Sequence, residues 1–186
     1  MAQLKLILLD FDGTLVDTRH ANAAAYIETL AEVGITISKE EYLSRFFGVR
    51  CMEFMRMVGI TDEAIIQQLR QRKVELYPRY FDSVTLNKPL WEWCMMMRSM
   101  GCKVWIVSTG HIDNITNVMR HLKLEQGIDG IISGDNVSRA KPAPDAFLLA
   151  MEREGATPEE TIIFEDSEVG LEAAKRSGAA YVKITL

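Results

Sequence analysis

Short apolar runs separated by helical segments constrain the fold of this chain more than any other feature. Four runs are pronounced and a fifth is weaker; they are Leu4–Leu9, Lys103–Val107, Thr161–Phe164, Ala180–Ile184 and the weaker Gly130–Ile132. Apolar runs of this length are typical of strands that are buried on both faces of a sheet. Because helical segments lie between them, the pattern predicts βαβ units and a parallel sheet covered by helices.

The region between residues 17 and 85 interrupts this alternation. It contains no run typical of a buried strand, but amphipathic helical patterns such as "HANAAAYIETLAEVG" and "TDEAIIQQLRQRKVELY". We therefore predict a three-layer α/β fold, in which residues 1–16 and 86–186 form a Rossmann-like parallel-sheet core. Residues 17–85 would form an inserted all-helical cap. The insertion has no low-complexity tract or flexible linker, which favours a compact cap.

The composition limits the expected partners and compartment. The 186 residues carry a net charge of −5, and this acidic excess argues against nucleic acid or an anionic membrane as a partner. Leu4–Leu9 is too short to span a bilayer. The three cysteines, Cys51, Cys94 and Cys102, form no CxxC pair and indicate reduced thiols in the cytoplasm. We expect a monomer or weak homodimer without a membrane or nucleic-acid partner.

Polar residues collect where the predicted strands end. "DFDGT" follows the first run, "STG" follows the second, "AKPAPD" precedes the third and "EDS" follows it. In an open parallel sheet, ligands bind at the carboxyl ends of the strands, so these segments should meet at one edge. They would bring together carboxylates, a hydroxyl and an ammonium group, which is the set that metal-assisted phosphoryl transfer requires.

The first of these segments predicts a metal site. Strand alternation points Asp10 and Asp12 to the same side, where two carboxylates would repel each other. Magnesium prefers oxygen ligands and is usually held by one or two carboxylates together with water and phosphate. Asp10 and Asp166, which follow different strands, could hold such an ion and cancel the repulsion.

Each segment also has an ordinary structural interpretation. Asp-Gly after an apolar run is a common turn, and Ser-Thr-Gly after a strand is often a helix cap. Lys141 could be a solvated loop lysine, and "EDS" could cap the next helix through Ser167 or Asp166. The occurrence of all four at one predicted sheet edge favours the chemical interpretation.

The order of the segments resembles a known family. "DFDGTLVDT", "VSTG", "AKPAPDAF" and "FEDSEVG" resemble, one after another, the four motifs of the haloacid dehalogenase superfamily. The helical insertion resembles the branch that includes phosphoglycolate phosphatases, sugar phosphatases and β-phosphoglucomutase. The resemblance covers nearly the whole chain and implies an aspartyl-phosphate mechanism that depends on Mg²⁺.

The resemblance also implies roles for single residues. Asp10 matches the nucleophile, and Asp12 matches the acid/base, whose backbone carbonyl is a further metal ligand. Ser108 and Lys141 match the groups that hold the transferring phosphoryl oxygens. The acidic metal site is matched by Asp166, with Glu165 beside it.

These roles predict a Mg²⁺-dependent phosphatase that acts on a small phosphorylated metabolite. A β-phosphoglucomutase-like phosphomutase and a non-catalytic phosphometabolite-binding protein are the alternatives. Asn22 occupies the position of the histidine that shuttles a proton in the mutase, which favours the phosphatase. We expect substrate contacts from Thr109, Asn22 and Arg50, although Arg50 could also be a solvated cap arginine. We expect Met95–Met97 to lie in the core.

Overall fold

The computed structural model describes residues 3–186 and has an α/β architecture, so residues 1–2 of the predicted core lie outside the described part. The strands in chain order are β1 (Leu6–Leu9), β2 (Val16–Asp17), β3 (Thr85–Leu86), β4 (Lys103–Val107), β5 (Gly130–Ile132), β6 (Thr161–Glu165) and β7 (Ala180–Lys183). Five of them form one parallel sheet in the order β5-β4-β1-β6-β7. All five apolar runs therefore contain a strand of this sheet, and β1 lies at its centre.

Eight α-helices occur in the described residues. They are α1 (Arg19–Ala31), α2 (Lys39–Arg45), α3 (Cys51–Met57), α4 (Glu63–Leu76), α5 (Lys88–Ser99), α6 (Ile112–Leu122), α7 (Asp145–Glu154) and α8 (Glu168–Ser177). Helix α8 ends at Gly178, whose φ of +83° is the left-handed conformation that glycine adopts at low cost. No helix among residues 3–186 is long and apolar enough to cross a membrane.

The sheet is covered on both faces, which confirms the three-layer fold. Side chains alternate along β1, so Ile7 and Leu9 pack in the cluster that contains residues of α5 and α6. Leu6 and Leu8 pack on the opposite face, in the cluster that contains residues of α7 and α8. All four side chains are fully buried, because both faces of the central strand are covered.

Two predictions of burial were wrong. The run Ala180–Ile184 was expected to be buried on both faces, but all four residues of β7 are exposed, because β7 pairs only with β6 at the sheet edge. The run Met95–Met97 was expected in the core, but Met96 is 51% exposed, whereas Met95 and Met97 pack against the core. Successive helical residues point about 100° apart, so three in a row cannot all face inward.

Helices α1 to α4 form the helical insertion. They pack around their own apolar cluster, in which the rings of Tyr26, Tyr42 and Phe54 are in mutual contact. Strands β2 and β3 pair antiparallel on either side of the insertion and form a short ribbon that the sequence did not predict. We propose this ribbon as the boundary between cap and core, which keeps the predicted cap limits of residues 17–85.

Candidate active site

An ion cluster lies at the carboxyl end of the sheet, built from three separate parts of the chain. Asp10 follows β1, Glu165 ends β6, and Lys141 lies in the loop before α7. The Lys141 Nζ atom lies 2.6 Å from Asp10 Oδ1 and 2.6 Å from Glu165 Oε1, and it donates to the Val107 carbonyl at 3.1 Å. The lysine side chain is only 3% exposed. The alternative of a solvated loop lysine is therefore wrong.

Three carboxylates in this cluster are close enough to share a cation. One oxygen of each of Asp10, Glu165 and Asp166 lies within 4.8 Å of the other two. Burial and the nearby Glu165 carboxylate raise the pKa of Asp166. Burial also raises the pKa of Asp10, although Lys141 opposes the shift. One ammonium faces three carboxylates, and an oxygen-preferring divalent cation fits this donor set.

The three carboxylates differ in how many of their oxygens already accept hydrogen bonds and are therefore less available to a cation. Glu165 accepts hydrogen bonds at both oxygens, from Lys141 at Oε1 and from the Ser167 N–H at Oε2, the latter at 2.7 Å. Asp166 accepts one bond, from Thr14 Oγ1 to Oδ1 at 3.0 Å. Its Oδ2 accepts no hydrogen bond from residues 3–186. Glu165 is thus the most fully engaged of the three, although the sequence interpretation gave it the same role as Asp166.

Gly13 allows the loop after β1 to approach Asp166, which follows β6. Its φ of +100° is strained for any residue with a side chain, and a Cβ atom here would collide with the Asp166 carboxylate. The Asp-Gly turn considered at the sequence level is therefore present, and it brings the backbone against the carboxylate cluster.

Asp12 is held from the cap side. Its Oδ1 accepts hydrogen bonds from Thr18 Oγ1 and from Asn22 Nδ2, the latter at 3.2 Å. The Asn22 Oδ1 atom in turn accepts from the Lys73 Nζ atom at 2.8 Å. Asn22 thus reaches the site, but its contact is with Asp12.

Lys73 is a site residue that the sequence interpretation missed. It lies on α4 in register with the buried Ile66, Leu69 and Leu76, and it is only 2% exposed. Burial lowers its pKa to about 7, although the charge of Asp12 opposes the shift. The signal that could have identified it is a lysine within the apolar stripe of an amphipathic helix.

A small cavity of about 40 Å³ lies between the cluster and the cap. The predicted residues that line it are Asp10, Asp12, Ser108, Thr109, Lys141, Glu165 and Asp166. The Ser108 Oγ atom accepts from the Gly110 N–H at 2.9 Å, whereas the cap of α6 is His111. The Ser-Thr-Gly segment is therefore not the helix cap itself. Ser167 does cap α8, as the structural interpretation of "EDS" expected. This cap does not exclude the chemical interpretation, because Asp166 belongs to the carboxylate cluster.

A larger cavity of about 190 Å³ continues between the cap and the core. Arg50 lines it and donates from Nη2 to the carbonyls of Gly134 and Val137, at 3.0 Å each. Its Nε atom and Asn114 Oδ1 are buried without a hydrogen-bond partner among residues 3–186. Arg50 is thus not a solvated arginine. Its guanidinium forms hydrogen bonds between the cap and the loop after β5.

A parallel α/β core with a helical insertion after its first strand is a Rossmann-like fold with an inserted cap. The chain belongs to the haloacid dehalogenase-like hydrolase family, whose sequence model matches residues 7–184. This match confirms the predicted superfamily. Together with the phosphatases described next, it also confirms the predicted branch and shows that the chain is an enzyme of this family.

Several named proteins are similar to nearly the whole chain. A phosphorylated carbohydrates phosphatase of Thermotoga maritima is 29% identical over 94% of this chain and 82% of its own length. A phosphoglycolate phosphatase of Aquifex aeolicus is 28% identical over the same shares. The crystal structure of a β-phosphoglucomutase from Clostridium difficile has a TM-score of 0.85 at 21% identity, covering 99% of this chain and 86% of that one. This last likeness shows the fold alone.

Proposed function

We propose that this protein is a Mg²⁺-dependent phosphatase that hydrolyses a small phosphorylated metabolite through an aspartyl-phosphate on Asp10. The observation that carries the proposal is the buried contact of Lys141 with Asp10 beside a small cavity that Asp12 also lines. The arrangement supports the proposal, because Asp10, Lys141 and Asp12 surround one small space at the end of the sheet.

The metal would be held by Asp10, Asp166 and the backbone carbonyl of Asp12. Such an ion supplies positive charge that offsets the repulsion between an anionic phosphate and an anionic nucleophile. Because both oxygens of Glu165 are already engaged, we propose that Glu165 orients Lys141 and is not itself a ligand.

The protein side chains divide the reaction between them. A carboxylate oxygen of Asp10 attacks phosphorus, and the bond from phosphorus to the leaving oxygen breaks while Asp12 donates a proton to that oxygen. Asp12 then takes a proton from water, whose oxygen attacks the phosphorus of the aspartyl-phosphate. The bond between phosphorus and the Asp10 oxygen breaks, which releases inorganic phosphate and restores the Asp10 carboxylate. Lys141 and Ser108 would hold the non-bridging oxygens in both steps.

Asn22 favours hydrolysis over phosphoryl transfer between sugar hydroxyls. Its amide lies between Lys73 and Asp12, and an amide cannot accept a proton at neutral pH. A mutase needs a base aimed at a second substrate hydroxyl, and this position does not provide one. We therefore expect release of inorganic phosphate without a bisphosphate activator.

The larger cavity would take the organic part of the substrate. Arg50 and Thr109 line its wall. The names of the relatives support a small phosphorylated carbohydrate or glycolate. The cytoplasmic location stays a prediction. The assembly, a monomer or weak homodimer, also stays a prediction, and gel filtration can test it.

Turnover of p-nitrophenyl phosphate tests the proposal. We expect activity with Mg²⁺, loss of activity in excess chelator and its return on addition of Mg²⁺. Asp10→Asn should fall below a few per cent of wild type, because the amide cannot attack phosphorus, while the circular dichroism spectrum stays unchanged. Asp82→Asn, an exposed aspartate of the cap, is the matched control. Full activity in chelator would overturn the metal assignment, and an active Asp10→Asn would overturn the nucleophile.

A further inference from the structure

We infer that Asp135 makes the larger cavity selective for a neutral, hydroxylated leaving group, because it neutralises Arg70 on the opposite wall. The inference rests on the proposed function, since it names the class of substrate whose organic part would occupy this cavity. It assigns a role to a residue in the loop after β5, which the sequence interpretation did not include in the site.

Asp135 and Arg70 face each other where the core meets the cap. Asp135 lies in the loop after β5, Arg70 lies on α4, and both line the larger cavity. The Arg70 Nη2 atom lies 2.5 Å from Asp135 Oδ1, and the arginine side chain is only 22% exposed. The two opposite charges largely cancel at this distance, so Arg70 has little attraction left for a second anionic group of a substrate.

The core also holds the Asp135 carboxylate in place. Its Oδ2 atom accepts a hydrogen bond from the Ile112 N–H at 3.3 Å, at the amino end of α6. The His111 Nε2 atom lies 3.6 Å from the same oxygen. The amino end of a helix attracts a carboxylate, so the position of Asp135 does not depend on the cap alone.

The other arginine and lysine on the wall of this cavity have their donors engaged as well. Arg50 donates from both Nη atoms to backbone carbonyls of the loop after β5, and its Nε atom is buried. Lys73 donates to Asn22, and its ammonium lies 3.5 Å from the centre of the Tyr77 ring. Recognition of a carboxylate or a second phosphate needs cationic donors that are aimed at it, and these donors are aimed at the protein.

The remaining groups on the wall suit a molecule with several hydroxyls. The Thr109 hydroxyl donates to the Gly48 carbonyl at 3.1 Å, so its oxygen can accept from a substrate hydroxyl. Asn114 carries an amide that both donates and accepts, and the Asp135 carboxylate accepts. The Tyr26 ring adds apolar surface for the C–H groups of a sugar or polyol. An anionic leaving group would instead be repelled by the charge of Asp135, whereas a hydroxyl can donate to it.

The preference between two small esters tests the inference. Glycerol 3-phosphate has a neutral leaving group with further hydroxyls, whereas the leaving group of phosphoglycolate carries a carboxylate. We expect the wild-type kcat/KM to be about tenfold higher for glycerol 3-phosphate, the effect of one hydrogen bond to a charged group. Asp135→Asn leaves the Arg70 charge uncompensated, so this ratio should fall about tenfold through a lower KM for phosphoglycolate. Arg70→Met leaves Asp135 without its partner, so the ratio should rise further through a higher KM for phosphoglycolate.

Variants elsewhere in the cap control for unspecific effects. Arg72→Met removes an arginine of the same helix that pairs with Glu32 on the cap surface, and Asp82→Asn removes an exposed aspartate. Neither should change the ratio or the turnover of p-nitrophenyl phosphate. Thermal unfolding of each variant checks that the fold is retained, and the ratio of the two kcat/KM values cancels any change in catalysis that both esters share.

Three results would overturn the inference. A wild type that turns over p-nitrophenyl phosphate without preferring glycerol 3-phosphate to phosphoglycolate would refute it and leave the proposed function intact. An unchanged ratio in Asp135→Asn would mean that Asp135 only joins the loop to the cap. A lower ratio in Arg70→Met would mean that Arg70 serves the hydroxylated substrate. If the wild type turns over no phosphate ester at all, the proposed function itself fails.

Discussion

The carboxylate cluster at the sheet edge and the hydrogen-bond network below the cap are held by different parts of the structure. Asp10 and Glu165 sit at the ends of paired strands, so their spacing is set by the sheet itself. Asn22 and Lys73 lie on α1 and α4, and they reach the same space only because these helices pack together and lie over the sheet. In the proposed function, the sheet would therefore supply the reacting groups, and the cap would supply their orientation and the selection of substrate.

The cap and the core meet through both apolar and polar contacts: Tyr77 and Phe81 of the cap pack in the apolar cluster that contains residues of α6, and the contacts with the loop after β5 are polar. Arg50 donates to backbone carbonyls of the loop after β5, and Arg70 forms an ion pair with Asp135 of the same loop, with 2.5 Å between Nη2 and Oδ1. Thr109 donates to the Gly48 carbonyl at 3.1 Å. Such polar contacts break at lower cost than packed apolar surface, so we expect any opening of the cap to separate them while the apolar contact of Tyr77 and Phe81 with the core is kept.

Asp12 lines the small cavity beside Asp10 and accepts a hydrogen bond from Asn22 of the cap, so it contacts both regions. Among the variants that distinguish the two regions, its replacement should have the largest effect. Asp12→Ala should lower kcat for glycerol 2-phosphate by about 10²–10⁴-fold, because the leaving oxygen then receives no proton. p-Nitrophenyl phosphate should still phosphorylate Asp10 in a burst, after which hydrolysis stalls. Rapid-quench detection of the acyl phosphate measures this accumulation. An unchanged steady-state rate on the alkyl ester would remove Asp12 from the mechanism.

The two neighbouring acids of the cluster should respond differently to metal. Asp166→Ala should raise the Mg²⁺ concentration needed for half-maximal turnover by on the order of 100-fold, because a ligand is lost. Glu165→Ala should raise it only about tenfold, because we propose that Glu165 acts through Lys141 and is not a ligand itself. Titration of p-nitrophenyl phosphate turnover with Mg²⁺ measures both. If both variants raise the Mg²⁺ concentration for half-maximal turnover equally, Glu165 is itself a metal ligand.

Loss of Arg50 should affect the cap and leave the cluster unchanged. Arg50→Ala removes the donors to the loop after β5, so KM for a carbohydrate phosphate should rise several-fold while kcat for p-nitrophenyl phosphate stays within twofold. Arg56→Ala, at an exposed arginine of α3, serves as the control. A fall in kcat on the aryl ester with unchanged KM would show that Arg50 acts on the chemistry.

A change at Asp129 should have the smallest effect, and this effect should be on stability. Asp129 directly precedes β5, at the amino ends of the strands and away from both regions. Burial would raise its pKa, but hydrogen bonds from Arg98, the Val104 N–H and Lys103 lower it to about 2. A carboxylate with a lowered folded-state pKa stabilises the fold above its unfolded value near 4, and this contribution is lost as the pH falls towards 2.

Asp129→Asn should therefore destabilise the protein by about 1 kcal/mol at pH 7, a value reduced by solvent screening of the partly exposed Arg98 and Lys103. The difference from wild type should shrink between about pH 4 and pH 2. Urea unfolding at several pH values measures it. Turnover should stay unchanged, and a constant difference at all pH values would contradict the assignment.

The core and its acidic residues could be predicted because their signals are local. A run such as Lys103–Val107 indicates a strand by itself, and parallel pairing brings the residues that follow each strand to one edge. Asp10, Asp166 and Lys141 therefore could be grouped without knowledge of the packing. The exposure of β7 could not be predicted, since an apolar strand has the same composition at the edge as at the centre.

The sequence by itself determined the parallel α/β core, the helical insertion and the residues that the sheet brings together. Only the tertiary structure decided that Lys73 reaches Asp12 through Asn22, that Arg50 binds backbone carbonyls, and that Glu165 has both oxygens engaged. The physical reason is that strand order and pleat fix direction over short distances, whereas contacts between helices depend on how whole elements dock. A lysine 51 positions from its partner asparagine leaves no local pattern that links the two.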